Sequence, residues 1–301
     1  METIHVSGAT GFLGRAICSH FLNRGFRVNA LVRPQSRSKI TLLSRFDLLQ
    51  VTEIDLMSPS SFEFKIEKGD LLIHTAAVNP PIENQDIEEL VRVNIQYGIK
   101  LMQQASLGGG RFLNIGTNWQ HYKNMPYSPV SIYAASKQAH LAFQQYFTEV
   151  EGLSARSLEL SDTYGPNDPR DKLIPLLLSP TMCEWPLELT GGTQLIDLVH
   201  IDDVVEAINL INQNWDSPFL KMQMSLTSGE LLSIKALVKE CGIIRGHEIP
   251  VKWGSKQSLY ARQMHESWAF HEVPWQWAPK ISLKKGLNEV YQEMKNKVQR
   301  N

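Results

Sequence analysis

Two side chains with complementary acid–base chemistry stand four residues apart in the stretch YAASK, Tyr133 to Lys137. On a helix this spacing places both on one face. A phenol with an ordinary pKa of about 10 is a poor acid–base group at neutral pH. A neighbouring ammonium lowers that pKa, and the pair could then protonate a carbonyl oxygen as a hydride arrives, or act in reverse. Spacing alone does not establish this chemistry, because Tyr/Lys pairs are common on exposed helix faces.

A third candidate is Thr117, which ends the apolar run RFLNIGT. The carboxyl ends of parallel strands are where open α/β sheets bind their ligands. The hydroxyl could therefore hold a substrate oxygen against Tyr133. The simpler alternative is a loop or capping hydroxyl.

Three glycines, Gly8, Gly11 and Gly14, lie at three-residue spacing between the strand-like TIHVSG and a helical segment. A glycine turn lets backbone N–H groups approach a pyrophosphate, and the helix N-terminus adds its positive dipole end. The position directly after the first strand of a βαβ unit predicts a dinucleotide site.

The second strand, in VNALVRPQSR, places Arg33 at its tip and Arg37 close by. An NAD site would carry an acidic residue there for the ribose 2′-hydroxyl. A cation suits a 2′-phosphate, so the sequence predicts NADP(H); two solvated arginines are the alternative. Asp55, in EIDL, is a candidate for the adenine amino group, with an ordinary turn aspartate as the alternative.

Short β-rich runs alternate with helical patterns in the first half, which predicts an α/β protein with a Rossmann-type doubly wound parallel sheet. After Gly165 the chain holds five prolines within one short stretch, and the regular alternation of strand-like and helical segments ends there. We expect residues 1–165 and 193–215 to form the NADP-binding domain. Residues 166–192 and 216–301 would form a smaller, discontinuous α+β substrate lobe. In this division LIDLVHIDDVVEAINLI supplies a strand and helix that return to the main sheet.

The composition excludes several classes of function. Of 301 residues, 43% are hydrophobic and 20% charged, and the net charge is −1, so a nucleic-acid or anionic-membrane surface is not expected. No apolar run approaches the roughly 18 residues of a membrane span, and the three scattered cysteines favour a reducing, cytoplasmic location. His74, His121 and His200 are also scattered, and no metal site is predicted. His200, Asp202 and Asp203 are explained as a strand-to-helix junction with capping carboxylates.

Five motifs occur in order: GATGFLG, HTAA, a GT before the helix with YAASK, DTYGPND and LVHIDDVVEAI. Together, and with the closing WAPKISLKKGL, they resemble the extended short-chain dehydrogenase/reductase family, the NAD(P)-dependent sugar epimerases and dehydratases. The resemblance implies a nucleotide-sugar substrate and a homodimer formed through two helices per subunit, one of them carrying Tyr133.

The resemblance also implies the roles of the reacting residues. Tyr133 would be the acid–base residue, Lys137 would bind the nicotinamide ribose and lower the phenol pKa, and Thr117 would polarise the substrate oxygen. Asn94 matches an asparagine that supports the fold near the active site.

On the cofactor side, the resemblance gives Arg33 the 2′-phosphate and Asp55 the adenine. The other residues expected to line the cofactor are Gly8, Thr10, Gly11, Phe12, Leu13, Gly14, Leu56, Ala76 and Ala77.

The substrate side is expected to involve residues near the threonine and cations of the second lobe. The candidates are Thr117, Asn118 and Asp162, with Arg170 and Lys172 as phosphate cations and Trp185 against the base. Ordinary surface charge or lobe packing is the alternative for the last three. Family members often carry asparagine where this chain has Asp162, and an anion facing a diphosphate would be unfavourable.

Departures from the family pattern narrow the reaction. The 4,6-dehydratases carry an Asp-Glu pair after the threonine, whereas this chain has Asn118 and Trp119, which cannot act as general acid or base. The segment Gly116–Tyr122 resembles 4-ketoreductases of the CDP-paratose and CDP-abequose synthase type. We therefore expect NADPH-dependent reduction of the 4-keto group of a nucleotide-diphosphate deoxyhexose, with CDP as the expected carrier, in surface-polysaccharide (lipopolysaccharide O-antigen) sugar biosynthesis. The alternatives are an NAD-retaining 4-epimerase and, in another class, a non-catalytic NADP-sensing protein.

Overall fold

A computed structural model of the chain describes residues 2–43, 46–56, 64–79, 86–180, 186–258 and 262–300. Its centre is a parallel sheet of seven strands, which confirms the predicted Rossmann-type fold. Six of them are β1 (Thr3–Ser7), β2 (Arg27–Val32), β3 (Leu49–Glu53), β4 (Leu71–His74), β5 (Arg111–Thr117) and β6 (Ser154–Leu160). The seventh is β10 (Gln223–Leu226), and the spatial order is β10-β6-β5-β4-β1-β2-β3.

Helices cover both faces of this sheet. They are α1 (Phe12–Asn23), α2 (Ile87–Val91) with a π-helical turn at Arg92–Gln96, α3 (Tyr97–Gly108), α4 (Ile132–Glu149) and α6 (Ile201–Gln213). The apolar run of β4 shows why both faces are covered: Leu71 and Ile73 join the core beside α1 and α6, while Leu72 joins the core beside α3. Successive strand residues point to opposite faces, so a continuous apolar run needs helices on each side.

A second group of elements stands beside the carboxyl edge of the sheet. It comprises β7 (Asp162–Tyr164), α5 (Leu173–Leu178), β8 (Leu187–Leu189), β9 (Leu195–His200), β11 (Leu231–Ser233), α7 (Ile234–Arg245), β12 (Val251–Trp253) and α8 (Leu283–Arg300). Three strands form a small sheet in the order β11-β9-β7, and β12 pairs with β8. Residues of α5, α7 and α8 share one apolar core.

Two strands lie in different sheets from those expected. β9 pairs in parallel with β7 and antiparallel with β11, so the expectation that it returns to the large sheet is wrong. The helix after it, α6, does pack against α1, which covers the large sheet. The edge of the large sheet is instead filled by β10, from the segment expected in the lobe, which pairs with β6. The two-part domain division remains a prediction.

Among the described helices, none is both long enough and apolar enough to cross a membrane.

Candidate active site

The glycine turn after β1 has the backbone geometry that only glycine allows. Gly8 has a φ of +71°, and a Cβ there would lie 2.8 Å from the backbone of Ala76. A Cβ on Gly14 would lie 2.2 Å from the carbonyl oxygen of Gly8. Gly11 is the N-cap of α1 and makes no side-chain capping bond, so the N-terminus of this 12-residue helix is open to an anionic ligand. The turn fits a pyrophosphate.

A cavity of about 180 Å³ extends from this turn along the ends of β2 and β3. Arg33 lines it, is half exposed, and has its guanidinium 3.9 Å from the carboxylate of Glu89. Arg37 instead pairs with Glu53 at 2.8 Å. Of the two candidate arginines, Arg33 is the one that faces this cavity.

The predicted adenine contact, Asp55, is not among the residues that line this cavity, although Ile54 and Leu56 on either side of it are. Asp55 itself is exposed, and its neighbour Leu56 contributes to the wall. The adenine assignment of Asp55 remains a prediction.

A second cavity, of about 470 Å³, continues from the glycine turn toward the substrate side. Both cavities are lined by Gly8, Gly11, Thr75 and Ala77, so they form one groove. Thr10 and Ala76 line the first cavity only. The second cavity brings together most of the predicted site residues: Phe12, Leu13, Gly14, Thr117, Tyr133, Lys137, Asp162, Arg170 and Lys172.

Thr117 lies at the end of β5 and is 8% exposed. Its hydroxyl oxygen accepts from the backbone N–H of Trp119 at 3.3 Å, and its own N–H donates to Gln120 Oε1 at 3.1 Å. This capping box starts a short 3₁₀ turn, Asn118–Gln120. The hydroxyl therefore caps a turn and lines the cavity at once, and its remaining lone pair and hydrogen are available to a ligand.

Lys137 projects into the groove from the first turns of α4, whose N-cap is Ser131. It is 3% exposed and donates to the carbonyl oxygen of Ile115 at 3.0 Å. Burial lowers the pKa of its ammonium to about 8. A bound ligand that adds acceptors here would stabilise the charged form.

Tyr133 lies one turn earlier on the same helix. Burial raises the pKa of its phenol to about 12; the Arg170 guanidinium opposes this shift and the Asp162 carboxylate adds to it. Arg170 is thus a cation that favours the phenolate, and the predicted effect of Lys137 on the phenol pKa stays a prediction.

Asp162 lies among cations and donors. Burial raises the pKa of its carboxyl, while the positive charges of Lys172 and Arg170 and a hydrogen bond from the Trp119 side chain oppose that shift. The Arg170 guanidinium is held by a bidentate pair with Asp168, with both N–O distances at 2.7 Å. The anion that the sequence placed near a diphosphate is thus accompanied by two positive side chains.

Asn118 does not face the cavity. It is 1% exposed, and its amide donates to the hydroxyl of Ser161 at 2.9 Å. This predicted substrate contact is therefore directed into the protein. Trp119, which the sequence does not identify as a substrate contact, lines the cavity in its place. Trp185, the candidate for the nucleotide base, lies outside the described residues.

Asn94 holds together two segments that border the site. It lies in the π-helical turn, accepts from the backbone N–H of Val78 at 2.8 Å and donates to the Ser136 hydroxyl at 2.9 Å. It thereby links the segment after β4 to α4, next to Lys137. This geometry agrees with the supporting role that the family resemblance implied.

The His200 junction is structural, although its cap differs from the expected carboxylates. The imidazole Nδ1 of His200 accepts from the backbone N–H of Asp202 at 3.3 Å. Asp203 accepts from the backbone of Lys280 and Ile281, both at 3.0 Å, and so fastens the segment before α8.

Sequence reasoning missed one group of ionisable side chains, formed by His121, Glu159 and His271. Their residue types are ordinary in their local stretches, HY, SLEL and FHEV. Only the fold brings them together, next to the turn that Thr117 begins.

Comparisons with known proteins agree with this geometry. The sequence model of the NAD dependent epimerase/dehydratase family matches residues 4–219. The chain is 22% identical to CDP-abequose synthase of Salmonella typhimurium, over 97% of this chain and 98% of that protein. It is 25% identical to dTDP-glucose 4,6-dehydratase of Haemophilus influenzae, over 70% and 71%. UDP-glucuronic acid 4-epimerase of Bacillus cereus, solved in complex with UDP-glucuronic acid and NAD, superposes with a TM-score of 0.82 at 20% identity, covering 98% and 99%.

The fold and the cofactor groove define a nucleotide-binding enzyme of the Rossmann class. The chain belongs to the NAD dependent epimerase/dehydratase family.

Proposed function

We propose that this protein is an NADPH-dependent reductase of the 4-keto group of a nucleotide-diphosphate deoxyhexose, with CDP as the expected carrier. The observation that supports this most directly is that Thr117, Tyr133 and Lys137 line one cavity, which continues past the glycine turn to Arg33. A proton donor, a carbonyl-orienting hydroxyl and a 2′-phosphate cation then lie along a single groove. The likeness to CDP-abequose synthase over nearly the full length agrees with the substrate class.

The cofactor would supply the hydride, and the protein's own residues handle the proton and the orientation. Tyr133 donates its phenolic proton to the oxygen of the reduced carbonyl, and Thr117 holds that oxygen by a hydrogen bond. Lys137, buried beneath them, offers an ammonium to the nicotinamide ribose.

Tyr133 begins in the protonated form that reduction requires, although its raised pKa makes the phenol a weaker acid until a bound ligand lowers that pKa. Burial raises its pKa to about 12, so the phenol carries its proton at neutral pH. A proton donor needs this form, whereas the oxidation of an alcohol needs the phenolate. A reductase starts from the neutral, reduced nicotinamide, which adds no positive charge to favour the phenolate.

The substrate side suits a diphosphate and does not suit dehydration. Arg170 and Lys172 line the cavity as two cations, and the bidentate bond to Asp168 fixes the guanidinium of Arg170. Elimination of water needs a general acid and base beside the threonine, but Asn118 is turned inward and the indole of Trp119 can act as neither.

A 4-epimerase is the second candidate, because the same three groups serve both reactions. The fold likeness to the 4-epimerase of Bacillus cereus, solved with NAD, favours it. An epimerase oxidises and re-reduces the same sugar, so it retains its nicotinamide and consumes none. A non-catalytic NADP-sensing protein has no use for the Thr117, Tyr133 and Lys137 set.

The experiment that decides between them measures cofactor stoichiometry. The purified protein is assayed for tightly bound NAD and then for NADPH consumption with CDP- and dTDP-linked 4-keto-6-deoxy sugars. We expect no retained NAD and one NADPH oxidised per sugar reduced. Retained NAD with interconversion of 4-hydroxyl epimers would establish the epimerase, and nucleotide binding without turnover would establish the sensor. Homodimer formation and the cytoplasmic location remain predictions.

A further inference from the structure

Three ligand-type side chains from distant parts of the chain converge beside the end of β5. His121 follows the 3₁₀ turn after β5, Glu159 lies in β6, and His271 lies in the segment before α8. One ligand atom from each lies within 4.8 Å of the other two. The Nε2 atom of His121 is 2.9 Å from Glu159 Oε2, and the Nε2 atom of His271 is 3.7 Å from the same oxygen.

The two distances to Glu159 Oε2 are close to those between the ligands of a small tetrahedral metal site. Zinc binds imidazole nitrogen and carboxylate oxygen at about 2.0–2.2 Å, which places tetrahedral ligand atoms roughly 3.3 Å apart. The two distances to Glu159 Oε2 lie on either side of that value. The hydroxyl of Ser225 donates to the same oxygen at 3.5 Å.

The hydrogen bonds around the cluster are those of metal ligands. The Nδ1 atom of His121 is 3.0 Å from the carbonyl oxygen of Met125. A carbonyl can only accept, so Nδ1 carries a hydrogen, and Nε2 is the ring nitrogen that faces Glu159 and that a metal ion would bind. The other oxygen of Glu159 accepts from the amide of Gln120 at 3.5 Å. Metal-ligating histidines and carboxylates are held by outer bonds of this kind.

The buried carboxylate of Glu159 needs a positive charge beside it. The Glu159 side chain is fully buried, and either a proton on His121 or a bound metal ion can supply that charge. A single proton on His121 would satisfy one pair and leave the convergence of His271 unexplained. A divalent ion uses all three groups, and the His271 ring, 21% exposed, gives it a route from solvent.

We propose that His121, Glu159 and His271 bind one divalent transition-metal ion of the zinc type. Two imidazoles and one carboxylate favour such an ion over magnesium or calcium, which prefer oxygen ligands. Its role is structural, because it links the segment before α8 to β6. The ring of Phe270, in that segment, already stacks on His121 with ring centroids 4.9 Å apart.

The ion would also be connected to the candidate active site. Gln120 contacts both Glu159 and the backbone N–H of Thr117. A cation that fixes the Glu159 carboxylate therefore steadies the capping turn from which the Thr117 hydroxyl faces the cavity.

Zinc and cobalt binding to the full-length protein test this proposal. The protein is stripped with a chelator, then titrated with Zn²⁺ against a chromophoric competitor and with Co²⁺ by visible absorption. We expect one Zn²⁺ per chain and a cobalt spectrum of tetrahedral type. His271→Ala should weaken Zn²⁺ binding by at least about tenfold. His265→Ala is the matched control, since this exposed histidine of the same segment should leave the affinity unchanged.

Two results would overturn the proposal: no Zn²⁺ or Co²⁺ bound by the stripped protein, or binding that His271→Ala leaves unaltered. His271 is only partly buried, so this variant should fold, and far-ultraviolet circular dichroism checks that it does. His271→Cys, which keeps a ligand atom for zinc, should restore part of the affinity. Metal binding is measured without any substrate, so failure here is distinguishable from failure of the proposed reductase activity.

Discussion

The candidate active-site cavity and the His121–Glu159–His271 cluster both lie beside the ends of β5 and β6. They differ in whether their buried ionisable groups are shifted toward the neutral or the charged form. In the cavity, burial displaces Lys137 and Tyr133 toward their neutral forms, lowering one pKa and raising the other. In the cluster, burial also acts to lower the pKa of His121, but the bond and charge of Glu159 outweigh it and raise that pKa. Without a metal ion the cluster pairs its own charges, whereas the cavity holds buried groups that have no such partner among the described residues and that a ligand would stabilise, as is common in functional sites.

The sheet register keeps the two regions apart. Gly116 is paired with Glu159 and Thr117 with Leu160 across β5 and β6. Successive strand residues point to opposite faces, so the Glu159 carboxylate and the Thr117 hydroxyl leave their strands on opposite sides. The cavity and the polar cluster can therefore lie on opposite faces of the same two strands.

The variant Tyr133→Phe gives the strongest test of whether the cavity, and not the cluster, carries out the reaction. If the cavity supplies the reaction's proton, removing the phenolic hydroxyl should lower kcat by roughly 10²–10⁴-fold. NADPH binding, followed by fluorescence titration, should change little, because the aromatic ring remains. Turnover that stays near the level of the unmodified protein would remove Tyr133 from the mechanism. Tyr127→Phe, at an exposed tyrosine outside the groove, is the matched control.

Breaking the cluster should affect stability rather than chemistry. Glu159→Gln leaves His121 without its buried counter-charge, and losing one partner of such a pair costs about 3–5 kcal/mol. Urea unfolding of the chelator-treated protein measures this loss. Glu53→Gln, which removes an exposed pair with Arg37, should cost less than about 1 kcal/mol. Equal losses in the two variants would contradict the distinction drawn between buried and exposed pairs.

The uncompensated charge of Lys137 predicts a particular pH dependence. The folded protein releases this proton near pH 8, whereas the unfolded chain keeps it up to about pH 10.5. Between these values the unfolded state binds more protons, so the free energy of unfolding should rise with pH, by about 3 kcal/mol for a shift of this size.

Urea titrations of variants across this pH range isolate the contribution of Lys137. Lys137→Met should flatten the rise, because the group that releases its proton on folding is gone. Lys239→Met, on the exposed face of α7, is the matched control and should leave the rise unchanged. A rise that persists in Lys137→Met would show that other groups cause it.

The smallest expected effect is the difference in NADPH affinity between variants of the two arginines after β2, Arg33 and Arg37. Arg33→Ala removes a cation from the cofactor groove, and the loss of a hydrogen bond to a charged group costs about 1.5–3 kcal/mol. NADPH affinity should therefore fall more than about tenfold, while NADH affinity stays the same. Arg37→Ala, at the arginine paired with Glu53, is the control and should leave the ratio of affinities unchanged. An unchanged ratio in Arg33→Ala would contradict the NADP assignment.

Much of the cofactor side could be predicted from the sequence, because its determinants are local. The Gly8 turn needs a positive φ and a close approach of backbone, which only glycine permits. Tyr133 and Lys137 share a helix face through spacing alone. The alternation of apolar strands and amphipathic helices likewise predicts the large parallel sheet, because covering both faces needs no knowledge of distant partners.

What could not be predicted depends on pairing between distant segments. β9 and β10 are short strands, and their own residues do not specify which sheet accepts them. Asn118 follows Thr117 directly, yet the capping turn rotates its amide into the protein. In the sequence, Glu159 looks like an ordinary polar residue of a strand in which polar and apolar residues alternate. Only the fold brings His121 and His271 to it.

β10 lies far along the sequence from β6, the strand with which it pairs, and this affects the chain during its synthesis. β6 ends at Leu160, but its outer partner is not complete until Leu226 has been made. During that interval the nascent protein presents an unpaired strand edge, which is a template for association with other chains. A fragment that stops at residue 219, where the family match ends, would keep this edge permanently. We therefore expect such a fragment to aggregate, although it contains the glycine turn, Thr117, Tyr133 and Lys137.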